Sequence, residues 1–129
     1  MGTPSLTRIC DEDGDAICAM YGTFDGNISD HGMELAKFMD GFQIMHGLPL
    51  GASGKIANGA GCFAAQLIAH FKTEPGGFYI TSTDHEEEDY IYDITVLENG
   101  LMVQVFLRGL KVFAGNVPAF KQFCSATKE

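Results

Sequence analysis

Hydrophobic and polar residues alternate most regularly from Tyr90 to Leu97, where Tyr90, Tyr92, Ile94 and Val96 take every second position. A period of two is that of a strand with one buried face. Residues 78–83, 101–107 and 110–114 are the other strand candidates of a β-rich second half. Asn99-Gly100, between two of them, predicts a hairpin, and Arg108-Gly109 predicts a second tight turn. Near the N-terminus, residues 17–24 read as a strand set between Asp13-Gly14 and Asp25-Gly26, with residues 6–10 as its hairpin partner.

The middle of the chain changes period. Leu35, Phe38 and Met39 recur at helical spacing over residues 31–40, with Ser29 or Asp30 placed to cap. Residues 58–72 run from a glycine-rich loop into a nearly polar-free helix that ends before Pro75. On a helical wheel Phe63, Ala64, Leu67, Ile68 and Phe71 form a bulky side, and Cys62, Ala65, Gln66, Ala69 and His70 a small one. Small residues admit close neighbours, so this helix is expected at the centre, packed on both sides. Residues 41–61 are glycine-rich and read as a long loop, of functional character or else hiding a short strand. Pro118 suits the first turn of a C-terminal helix carrying Phe120 and Phe123. The sum is one α+β domain over 1–129: an antiparallel sheet of hairpins on a central helix, with one or two further helices.

Composition narrows the function. At 129 residues the chain buries a core without staples. Cys10, Cys18, Cys62 and Cys124 show no paired spacing and read as reduced thiols of a cytoplasmic protein. No apolar run reaches the ~18 residues of a membrane span, and neither an export signal nor an acylation motif stands at the N-terminus, where Leu6 breaks the latter. A net charge of −9 argues against direct nucleic-acid binding and against anionic membranes, and favours a basic partner or a cation. No cofactor or metal is expected.

Several segments carry candidate chemistry. Cys62, in the first turn of a helix after a glycine loop, is where a thiolate would be stabilised. It would need His31 or His46 as a base, with Asp25 or Asn58 to orient it, because His70 lies about 12 Å along the same helix. The plainer reading is a small buried hydrophobe. Gly59, Gly61 and Asn58, helped by Lys55, could present N–H groups to an anion, or the glycines could serve tight helix packing. The G-x-G-x-x-[GA] match at Gly59 lacks its preceding strand, and the phosphate-loop spacing at Gly54-Lys55 fails at Pro49 and Ile56. Asp11, Asp13 and Asp15 lack the glycine and the glutamate of a calcium loop. Asp84-His85-Glu86-Glu87-Glu88-Asp89 reads as a solvated loop, with a cation site or a contact for a basic partner as the other reading. His31, near Asp25 and Asp30, is the better histidine candidate.

The blocks Asp25-Gly26, His31-Gly32-Met33-Glu34-Leu35-Ala36-Lys37-Phe38, Ala57-Asn58-Gly59-Ala60-Gly61-Cys62-Phe63-Ala64-Ala65-Gln66-Leu67-Ile68-Ala69-His70-Phe71-Lys72 and Gly76-Gly77-Phe78-Tyr79 resemble a family of small bacterial and phage proteins of no established activity. The similarity covers about residues 20–94, and it implies a cytosolic protein, bacterial or phage-encoded and in the latter case accessory to the host–phage contest, and no mechanism. With no complete catalytic constellation visible, the first expectation is a non-enzymatic, homo-oligomeric binding protein. It would engage a small molecule or a protein through residues 41–61 and the flanking histidines, with Lys55, Asn58, Gly59, Gly61, His31 and Asp25 at the site. The alternative is a cysteine-dependent hydrolase or transferase using Cys62 with His31 or His46. A third reading is an acidic surface that mimics nucleic acid or titrates a basic protein.

Overall fold

The strand pattern of the sequence is realised in a computed structural model, which describes residues 2–48, 51–85 and 88–129. β1 (Ser5–Cys10) and β2 (Ala16–Gly22) form the N-terminal hairpin. Its turn is tied by Asp11, whose carboxylate accepts the Asp13 and Asp15 N–H groups at 3.0 Å each. β5 (Phe78–Thr81), β6 (Tyr90–Leu97), β7 (Gly100–Leu107) and β8 (Leu110–Asn116) complete a six-stranded sheet in the order β5-β2-β1-β6-β7-β8. Every neighbouring pair is antiparallel except β1 with β6.

The two predicted turns exchange character. Arg108 and Gly109, with φ of 50° and 84°, are the central pair of the β7–β8 turn, as a type I′ turn requires. In the β6–β7 hairpin Leu97 pairs with Gly100, so Glu98 and Asn99 are central and Gly100 already belongs to the strand. The hairpin stands where expected, but Asn99-Gly100 is not its centre.

The expected first helix divides in two. Ile28–Gly32 is a π-helical turn that runs directly into α1 (Met33–Met39). Neither Ser29 nor Asp30 caps it with a side chain. Instead the Glu129 carboxylate, from the far end of the chain, accepts Ile28 N–H at 3.1 Å and Ser29 N–H and O–H at 2.8 Å each. It also accepts the Tyr90 hydroxyl at 2.6 Å.

Among the described residues the long loop hides two strands, not one. β3 (Gln43–Met45) and β4 (Ile56–Asn58) make a short parallel pair, and β4 passes straight into α2 (Gly59–Phe71). α3 (Val117–Ala126) closes the fold, capped by the Asn116 side chain with Pro118 in its first turn. Mostly antiparallel strands with three α-helices among the described residues make this an α+β chain.

The main core lies on one face of the sheet, where Ile9, Tyr92, Ile94, Val103 and Val105 meet Leu35, Met39, Phe63, Leu67 and Phe120 of the helices. The opposite face holds a smaller cluster of Leu6, Ala19 and Ile91, edged by Tyr21 and Phe106. There Arg8 pairs with Asp93 through two bonds of 2.6 and 2.8 Å. One expectation is overturned by α2. Its bulky side is buried, but Gly61, Ala65, Ala69 and His70 are exposed, so the helix packs on one side and not two. Tertiary contacts, invisible to a helical wheel, decide which side is covered.

Candidate functional site

His31 is the polar centre of the region that the sequence singles out. It lies in the last part of the π-helical turn, its N–H bonded to the Asp25 carbonyl at 3.1 Å. Asp25 holds φ at 59°, a left-handed conformation that an aspartate tolerates better than most residues. Gly32 follows because the chain runs close to the sheet there: an added Cβ would sit 3.3 Å from the Tyr92 ring and from Cys124 Sγ. Tyr92 in turn donates its buried hydroxyl to the Gly26 carbonyl at 2.7 Å.

The imidazole is 6% exposed and shares a 2.8 Å hydrogen bond with the Thr7 hydroxyl of β1. Phe71, Tyr92 and Phe78 surround it, with ring centres 5.1, 5.4 and 5.7 Å away. Burial pushes its pKa down to about 4, so the ring is neutral at pH 7.

One edge of this histidine lines a cavity of 510 Å³. Phe71, Phe78 and Met33 supply apolar walls; Asp25, Asp30 and Glu34 bring carboxylates, and Lys37 and His70 bring nitrogen groups. Glu34 already meets Lys37 at 3.5 Å, which leaves Asp25 and Asp30 without a charge partner among the described residues. Phe24, 58% exposed, stands at the rim. The lining is mixed, apolar on the Phe71, Phe78 and Met33 side and polar elsewhere, and small-molecule sites combine both kinds of surface.

The other expected site residues lie outside that lining. Lys55 Nζ donates to the Lys37 and Asp40 carbonyls at 3.1 and 2.7 Å, a cation holding the C-terminal end of α1. Asn58 Oδ1 accepts the Gly47 N–H at 2.8 Å and does not cap α2. Gly59 takes φ of 78°, which only glycine adopts freely, and an added Cβ at Gly59 or Gly61 meets no atom within 4 Å. Close helix packing is therefore not what these two glycines serve. His46 is exposed just after β3. Cys62 is half-buried, its thiol donating to Gln66 Oε1 at 3.4 Å while Gln66 Nε2 donates to the Ile56 carbonyl at 3.1 Å.

The structure thus brings together Asp25 and His31, and sets Lys55, Asn58, Gly59, Gly61, Cys62 and His46 apart from their cavity. His70 and Lys37 were missed as lining residues. The sequence did carry a signal for them: both flank the aromatic positions Phe71 and Phe38 that turn toward the core.

Asp11, Asp13 and Asp15 place carboxylate oxygens within 4.8 Å of one another at the exposed hairpin turn, where Asp11 is already engaged by two N–H groups. No helix among the described residues is long and apolar enough to cross a membrane. Comparison with protein-family models, curated proteins and solved structures returns no match.

Proposed function

We propose that the chain is a non-enzymatic binding protein whose ligand occupies the His31 cavity. The observation that carries this reading is the pairing of a neutral, buried His31 with two rim carboxylates, Asp25 and Asp30, that have no charge partner among the described residues, over walls of Phe71 and Phe78. Such a lining favours a small molecule, or a protruding side chain of a protein partner, with an apolar body and a hydrogen-bond donor or positive charge. Net charge of −9 adds a field that attracts such ligands and repels anions. The same charge supports a reading without nucleic acid as partner.

A cysteine-centred activity has less support, because the Cys62 thiol is engaged by Gln66 and His31 by Thr7. The cytoplasmic setting is supported by four free cysteines. Self-association belongs to the same proposal: the exposed small residues Gly61, Ala65 and Ala69 would let a second copy approach α2 closely, and sedimentation analysis measures it.

The test is a thermal-shift screen of small aromatic amines and guanidines against the protein and its Asp30→Asn variant. Stabilisation that saturates and weakens at least fivefold in the variant supports the reading. Equal stabilisation of both proteins, or turnover of a screened compound, overturns it.

A further inference from the structure

The open face of the sheet holds a second cavity, of 420 Å³, beside edge strand β5. Tyr21 and Tyr79, register partners on β2 and β5, line it together with Ile80, His85 and Glu88. Glu88 departs from the expectation of a solvated acidic run, since its side chain is only 2% exposed. Glu86 and Glu87 lie outside the described residues. One Glu88 oxygen pairs with His85 Nδ1; the other, Oε1, is buried with no hydrogen-bond partner among the described residues. A buried carboxylate oxygen is costly until a donor meets it.

We infer that this cavity is a binding site for an organic cation, an alkylguanidinium or primary alkylammonium whose N–H groups satisfy Glu88 Oε1 and whose charge lies against the Tyr21 ring. Three observations select that class. A carboxylate is an acceptor only, so its missing partner is a donor, and a charged donor makes the stronger bond. Tyrosine faces attract cations, and Tyr79 already has Lys72 Nζ 5.3 Å from its ring centre. A metal ion fits less well, because among the described residues no third ligand group joins His85 and Glu88. The site is separate from the His31 cavity and stands independently of the function proposed for it.

The cation could be a free small molecule or the arginine side chain of a peptide lying along β5, whose outer edge pairs with no strand among the described residues. Calorimetric titration with n-butylguanidinium, with its neutral counterpart n-butylurea and with N-acetylarginine methylamide tests the inference. Butylguanidinium is expected to bind at least tenfold more tightly than butylurea, with NMR shifts at His85 and Tyr21. Tighter binding of the arginine amide identifies a peptide source, and the reverse order a free small molecule. Glu88→Gln, folded by circular dichroism, is expected to lose at least tenfold in affinity; Tyr21→Leu, which keeps the carboxylate, several-fold. Equal binding of butylguanidinium and butylurea, unchanged affinity in both variants, or no saturable binding to the wild-type protein overturns it.

Discussion

Thr7 Oγ1 and His31 Nε2 lie 2.8 Å apart in the core, joining the central strand β1 to the π-helical turn 24 positions later. The bond fixes the ring's orientation, and the ring forms part of a cavity wall. Burial of the ring also makes the fold sensitive to acid. Above the unfolded histidine pKa of about 6.5 the ring is neutral in both states. Between there and the folded value of about 4, the unfolded chain takes up a proton that the folded one does not. Stability is therefore full above about pH 6.5 and falls as pH falls, by about 3 kcal/mol in all. Denaturant titrations of the wild type and His31→Gln from pH 7.5 to 4.5 should show the steeper loss in the wild type. Parallel curves would exclude this coupling.

Glu129 ties the last residue to the start of the π-helical turn. Burial pushes its carboxyl up, but the bonds from Tyr90, Ser29 and Ile28 outweigh that and hold its pKa below the ordinary value. The stability it contributes is present above the unfolded carboxyl pKa and is lost as pH falls through the folded one. Glu129→Ala should cost about 1 kcal/mol at pH 7, as loss of a helix cap does, and less under acid. Thermal melts of the two proteins at pH 7 and pH 3.5 measure both effects.

Tyr92→Phe removes the hydroxyl bonded to the Gly26 carbonyl in the core, its one side-chain donor among the described residues. Leaving that acceptor unpaired should cost about 1–3 kcal/mol. Gly26→Ala should be at least as damaging, because the new Cβ would lie 2.7 Å from the Thr3 carbonyl oxygen and from Ser5 Cβ. Chemical denaturation of each variant gives the comparison.

The four thiols should separate in reactivity. Burial pushes Cys124 to about 12, raises Cys18, and pushes Cys10 to about 11 with the Asp93 charge adding to it. Brief iodoacetamide treatment of the folded protein at pH 8 should modify Cys62 first, as peptide mass mapping would show. A Cys62 rate well above that of a free thiol would favour the cysteine-dependent alternative; a rate at or below it favours binding.

Short-range chemistry explains which features were legible. Tyr90, Tyr92, Ile94 and Val96 alternate because one face of β6 is buried, and Pro118 and Asn116 mark α3 through local capping. The cavity was partly legible through Asp25 and His31, neighbours along one turn. What depends on distant contacts was not. The parallel pairing of β1 with β6 and of β3 with β4 leaves no turn signature, since the partners are joined by long connections. The Glu129 cap spans 100 positions. Glu88 looks like its solvated neighbours in sequence, and only its placement with His85 beside Tyr21 buries it.

The central claim is that ligand binds beside His31 and not at the N-terminus of α2. Two-dimensional NMR of isotope-labelled protein, titrated with any compound that raises its melting temperature, tests this most directly. Shifts centred on His31, His70, Phe71 and Asp30, and lost in Asp30→Asn, are the predicted result. Shifts centred on Asn58, Gly59, Gly61 and Cys62, with His31 unmoved, would contradict it.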